Sequence, residues 1–314
     1  METTFGRLVG VRHPLQQAVM GGVAVPALAG AVARAGALGM LCEYDEEPAS
    51  ERMARALELA EGGAVGMGFF GHWIDGDLAT FELAASRLRV VEVFWNTPDP
   101  ALVARARRSG QALVSWQVGS LDEALAAVDA GCDFVVAQGT EAGGHVRGTL
   151  PRQELLELVL SRVSVPVVTA GGIATAADVR AAIAEGAAGV RVGTRFVATE
   201  ESDAHPAYVR ALLDTASGDQ TVLTTAFGVG WPDAPHRVLA SAVSAAEQLD
   251  AEVVGQVNGP QGQSPVPRFW VATPSRNVDG HVEAMALYAG TGVGAVTAVQ
   301  PAAAVVADLV SLLV

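Results

Sequence analysis

From Leu15 to Val192 the chain alternates short, apolar, β-branched runs with alanine-rich segments of helical period. This alternation restricts the fold more than any other feature. Parallel strands need a crossover between them, and an amphipathic helix supplies it in a right-handed sense. The predicted strands are Leu15–Val19, Leu38–Cys42, Val65–Phe69, Val90–Phe94, Ala112–Gln117, Phe134–Gln138, Val167–Ala170 and Gly189–Val192. Predicted helices between them include Pro26–Ala35, Ser50–Ala60, Leu121–Ala130, Gln153–Ser161 and Ala176–Glu185. Pro26 suits a first helical turn. Ser120 and Glu123 have capping-box spacing, and Thr175 is placed to cap the next helix. Gly36, Gly110, Gly131 and Gly186 follow helices, where a left-handed stop is expected.

About eight strand–helix units in about 200 residues predict an α/β fold, the closed (β/α)8 TIM barrel. An open doubly wound sheet would carry a glycine fingerprint after its first strand. Here that loop reads Met20-Gly21-Gly22-Val23 and lacks it. The alternation breaks after about residue 200. The barrel is therefore assigned to residues 1–200 and 281–314, and residues 201–280 to a small, mainly helical substrate domain. Its Gly/Pro/Gln run from Gly255 to Pro267 is expected to be a long surface loop.

Composition removes several chemistries. All 20 basic residues are arginine. Without a lysine amine there is no Schiff base, no covalent pyridoxal phosphate and no phosphate-loop lysine. The net charge of −14 argues against nucleic acid as a partner, because a phosphate-binding surface needs clustered cations. No apolar stretch reaches the roughly 18 residues of a membrane span. The start lacks the apolar core of a signal segment, so a cytoplasmic protein is expected. Two cysteines, Cys42 and Cys132, make no disulfide framework. No HExxH or HxH spacing occurs, so no metal site is expected.

Barrel active sites lie at the carboxyl ends of the strands, so the residues after each strand are the candidates. Gly171 and Gly172 follow the seventh strand, and Gly193 and Thr194 the eighth. Glycine lets backbone N–H groups approach an anion closely, and paired loops at this place are a recurring phosphate site. With no lysine, backbone amides together with Thr194 or Arg195 would hold the charge. The sixth strand is followed by a polar, glycine-rich loop, Gly139-Thr140-Glu141-Ala142-Gly143-Gly144-His145. His145 is the histidine placed to act as base or anion anchor. His205, before Pro206, is equally readable as structural or functional.

These loops resemble the flavin-dependent nitronate monooxygenases, once called 2-nitropropane dioxygenases. The resemblance rests on AQGTEAGGH (Ala137–His145), PVVTAGGI (Pro166–Ile173), VRVGTRFVATEES (Val190–Ser202) and QQAVMGG (Gln16–Gly22). It implies non-covalent FMN in a (β/α)8 barrel under a small helical substrate domain. By the same resemblance Gly171, Gly172, Gly193 and Thr194 hold the FMN phosphate. Ala18 and Met20 lie beside the isoalloxazine ring. Gly68, Gln117, Gln138, Gly139, Gly143, Gly144 and Ala170 complete the cofactor contacts, and His145 is catalytic. Three departures stand out. The family's proline is Val19 here, and the asparagine that helps hold the flavin ring falls at Gly68. After the fourth strand, Trp95 and Asn96 replace a familiar phenylalanine-glycine-proline pattern.

The implied reaction is oxidation of a small, anionic alkyl nitronate, or its parent nitroalkane, by O2 to a carbonyl compound and nitrite. The same motifs occur in FMN-containing enoyl-acyl carrier protein reductases, for which NAD(P)H would be the reductant. A pathway-specific FMN oxidoreductase is a further alternative. The chain is expected to be a monomer or homodimer.

Overall fold

The computed structural model describes residues 3–43, 47–74, 76–260 and 262–313. Fourteen strands are assigned among them. Eight form one parallel sheet: β1 (Leu15–Gln17), β2 (Gly39–Cys42), β3 (Val65–Phe70), β4 (Val90–Phe94), β5 (Leu113–Val118), β6 (Phe134–Gln138), β8 (Val167–Ala170) and β9 (Gly189–Val192). The two-residue strand β7 (Gly144–His145) stands apart, on the loop after β6. The order is β1-β9-β8-β6-β5-β4-β3-β2. The edges β1 and β2 meet through a parallel bridge between Gln16 and Leu38, so the sheet closes into a barrel. Leu38 N–H donates to Leu15 O and Gln17 N–H to Leu38 O, each at 2.9 Å. Closure leaves no bare edge. Strands buried on both faces explain the near-continuous Val/Leu/Phe runs.

The helix ends follow local chemistry. Thr175 and Asp178 form a full capping box. Ser120 accepts from Glu123 N–H, whereas the Glu123 carboxylate reaches back one residue further, to Gly119 N–H at 2.7 Å. Gly36, Gly131 and Gly186 adopt positive φ. Gly110 does not. Its φ of −177° is ordinary extended backbone. Glycine fits there because a Cβ would fall 2.2 Å from Ala85 O.

The amino-terminal helix Thr4–Val9 plugs the barrel floor with Phe5, which is fully buried edge-on against Phe134 at 5.3 Å. Access is thereby confined to the opposite, carboxyl end. The last helix, Ala302–Val310, packs Val305 and Leu309 into one core with Leu28 and Val32 of helix Pro26–Arg34 and Val179 of helix Ala176–Ala184.

The segment after β9 is mixed rather than mainly helical. It holds helices Pro206–Leu213 and Ala240–Gln248 together with β10 (Thr221–Thr224), β11 (His236–Leu239), β12 (Val253–Gly259), β13 (Gly262–Pro267) and β14 (Val278–Gly280). The expected Gly255–Pro267 loop is the β12–β13 hairpin. Glycine and proline there mark a turn flanked by two strands, and Val254 and Val266 fix one face by burial. A second core, with Tyr208, Leu212, Phe227, Val238, Ala242 and Val254, unites these elements. No helix of the described residues is long and apolar enough to cross a membrane. Cys42 and Cys132 are free and buried, and burial pushes the Cys132 thiol up to about 12.

Candidate active site

A cavity of about 690 Å³ opens at the carboxyl end of the barrel. Ala18 and Met20 line it from the loop after β1, Gly68 from β3, Gln117 from β5 and Gln138 from β6. Gly143, Gly144 and His145 line it from the loop after β6. Ala170, Gly171, Gly172, Gly193 and Thr194 complete the barrel side. Gly139 is not on the wall. It packs behind it, where a Cβ would fall 2.2 Å from Arg152 N. Arg195 is not at the cradle either. Its guanidinium turns away to Ala295 O at 2.8 Å and Asp308 at 2.9 Å. Thr194 Oγ1 accepts from Gly290 N–H at 3.0 Å, which ties the cradle to the carboxyl-terminal loop.

The cradle needs glycine. Gly171 has φ 123° and Gly172 φ 69°. An L side chain is strained at both, most at Gly171. Gln138 and Arg191, also on the cavity wall, each keep one buried polar atom, Oε1 and Nε, without a protein partner. Glycine amides for an anion and polar atoms for a polar ring system fit a flavin phosphate cofactor.

His145 is held from both sides. Strand β7 pairs antiparallel with β11, so that His145 faces His236 in register. The His145 carbonyl accepts from Gln138 Nε2 at 3.0 Å. Its imidazole stacks on Trp231 with 4.0 Å between ring centroids and 19° between planes. The inserted segment thus places a ring over the barrel's own histidine.

Several site residues escaped the sequence reading. Glu92 and Arg191 form a buried ion pair on the cavity wall. Arg191 also donates to Gln117 Oε1, while Gln16 Nε2 and Ser115 Oγ each donate to the Glu92 carboxylate at 3.1 Å. The signal was present: a charged residue inside each of two otherwise apolar strands, VVEVF and GVRV. Buried strand charges persist when paired. Glu43, just past β2, accepts from Phe70 N–H at 2.5 Å, and burial pushes its carboxyl up to about 7. His236 accepts from Phe227 N–H on Nε2 and contacts Ala234 O through Nδ1 at 2.8 Å. Burial holds it below the ordinary histidine value, so it is a neutral clasp for the Trp231 loop. His205 is structural: its Nδ1 accepts from Ala207 N–H and caps helix Pro206–Leu213. Tyr208 and Tyr288 hydroxyls donate to backbone carbonyls, and burial raises both well above the ordinary tyrosine range. They act as donors, not as bases. Trp95 stands behind the wall, edge-on to Trp231 at 5.0 Å. The Asn96 side chain accepts from Thr97 N–H. Among the described residues no cluster suits a metal ion.

The nitronate monooxygenase family model matches residues 3–61 and 77–311. The chain belongs to that family. A nitronate monooxygenase of Pseudomonas aeruginosa is 30% identical over 291 residues, 78% of this chain and 83% of that one. A 5-hydroxy-7a-methyl-1-oxo-octahydro-1H-indene-4-carboxyl-CoA dehydrogenase of Rhodococcus jostii is 33% identical over 243 residues. That match takes in 76% of this chain but 66% of the relative, just under two thirds of its length. The structure of FabK from Thermotoga maritima superposes with a TM-score of 0.78 at 26% identity, over 99% of this chain and 96% of that one.

Proposed function

We propose that the protein oxidises a nitronate anion, or the nitroalkane from which it forms, in an O2-dependent reaction that yields a carbonyl compound and nitrite. The observation that carries this reading is the presentation of His145 on the cavity wall, fixed by the β7–β11 pairing and the Trp231 stack. Its imidazole holds the nitronate oxygens, or takes the α-proton of a neutral nitroalkane. Gly171, Gly172, Gly193 and Thr194 hold the FMN phosphate through backbone amides and a hydroxyl. Gln117, Gln138 and Arg191 offer polar atoms to the ring system. FMN, when bound, supplies the electron acceptor. Residues 201–280 act as the substrate lid, excluding water with Trp231, Trp270 and Val271.

A second reading is NAD(P)H-dependent reduction of an enoyl thioester, favoured by the likeness to FabK. The cavity wall speaks against it. Arg191 is the one arginine among the lining residues, and Glu92 already neutralises it. A phosphate-bearing thioester arm would find no further cation there. A pathway-specific oxidation of another carbon acid is the third reading.

The test is the anaerobic absorbance spectrum of the FMN-loaded protein during addition of a nitronate. Loss of the oxidised flavin bands, followed by nitrite release on admitting O2, is expected. Unchanged bands with a nitronate, but bleaching with NADPH, would transfer the assignment to the reductase.

A further inference from the structure

The cavity has a second wall, built of aromatic rings. Four of the five tryptophans, Trp73, Trp95, Trp231 and Trp270, gather at the barrel mouth. Phe70 meets Trp231 edge-on at 5.2 Å and Trp73 meets it at 5.4 Å. Phe94 lies 6.4 Å from Phe70. Phe70, Trp73, Phe94, Trp231 and Trp270 all line the cavity. Around the closed barrel β3 and β4 stand diametrically opposite β8 and β9. The aromatic wall therefore faces the glycine cradle across the mouth, and it begins at the His145 imidazole.

Backbone strain concentrates on the same segments. Four described non-glycine residues have positive φ, and three are Trp95 (64°), Asp233 (56°) and Phe269 (63°). They are the tryptophan behind the wall, the residue two past Trp231 and the residue before Trp270. Strained backbone persists where the surroundings over-determine it, often at ligand clamps. Among these rings Trp73 keeps 38% of its surface exposed, whereas Phe94 and Trp231 present only 8% and 7% to the cavity.

We propose that the substrate carries a flat aromatic ring, seated against Phe70, Phe94 and Trp231, with its anionic head at His145. Trp231 is the residue that sets this specificity. It contacts the ring on one side and orders the imidazole on the other. Edge-to-face partners add attraction beyond area burial. The anionic head rests on the nitronate reading above; recognition of the ring does not.

The test uses unreactive carboxylate mimics on the FMN-loaded protein, followed by perturbation of the flavin spectrum. Phenylacetate mimics the nitronate of phenylnitromethane, and isobutyrate mimics propane-2-nitronate. Phenylacetate is expected to bind about ten-fold more tightly, as one or two aromatic pairs would give. Trp231→Leu brings the ratio toward one. Phe94→Leu reduces it independently, should the first variant fail to fold. Equal affinities in the parent protein, or a ratio that survives both substitutions, overturn the proposal. Ring-selective binding by a protein whose flavin never responds to a nitronate sinks the nitronate reading and leaves this one standing.

Discussion

Val19 lies directly over Gly68. A Cβ on residue 68 would fall 2.4 Å from Val19 Cγ2, 2.9 Å from Cγ1 and 3.1 Å from Cβ. The departures at Val19 and Gly68 noted in the resemblance to the nitronate monooxygenases are thus one spatial change. The valine side chain occupies the space a side chain at 68 would need. Reinstating the asparagine alone, as Gly68→Asn, overpacks the cavity wall and is expected to cost about 1–3 kcal/mol. Val19→Ala removes the two nearest atoms, so the double variant recovers part of the loss. Thermal melts of the four proteins test this; strict additivity would show that the pair is uncoupled.

Gly171→Ala places a Cβ on backbone at φ 123°, with Ala142 N and Gly139 O each 3.3 Å away. Strain of about 1–3 kcal/mol, released by moving the loop, weakens FMN binding roughly ten-fold or more. Fluorescence titration of the apoprotein with FMN measures it.

His145→Gln is expected to lower kcat/KM for the nitroalkane by about 10²- to 10⁴-fold, the usual range for a lost general base. A preformed nitronate needs no proton removal and loses less. The flavin spectrum stays native. Equal losses on both substrates would leave His145 as an anchor alone.

The Glu92–Arg191 pair is nearly sealed, with side-chain exposures of 2% and 5%. Arg191→Met leaves a buried carboxylate uncompensated, and a loss of about 3–5 kcal/mol in urea denaturation is expected. Adding Glu92→Gln to the same variant restores part of it. A double variant as unstable as the single one would mean the arginine stem, not the charge, matters.

Two buried groups set opposing pH dependences. Glu43 titrates at about 7 in the folded protein against 4.5 when free. Its contribution is complete below 4.5 and is lost as pH rises through about 7. His236 is shifted downward from 6.5, so its contribution is complete above 6.5 and is lost as the pH falls below that. Glu43→Gln keeps an oxygen for Phe70 N–H and removes the first dependence. Its stability advantage over the parent protein, followed by thermal melts, grows from pH 4.5 to about 7 and then levels, on the order of 3 kcal/mol. A constant difference across that range would contradict the assignment.

The barrel was legible because strand and helix periodicities are local. Four predicted strands, Val90–Phe94, Phe134–Gln138, Val167–Ala170 and Gly189–Val192, have the observed bounds. The glycine loops were legible because phosphate cradles use contiguous backbone. Residues 201–280 were not, since glycine and proline mark a hairpin turn and a loop alike, and only the burial of Val254 and Val266 separates them.

The sequence by itself determined the alternating fold, the family motifs and the exclusion of lysine chemistry. The tertiary structure alone decided which side chains meet across the barrel. Arg191 reaches Glu92 from 99 positions away, and Trp231 stacks on His145 from the segment after β9. It also turned Arg195 from the cradle to Asp308. Such pairings depend on closure of the sheet and docking of the insertion. Each is a long-range packing event that no local spacing encodes.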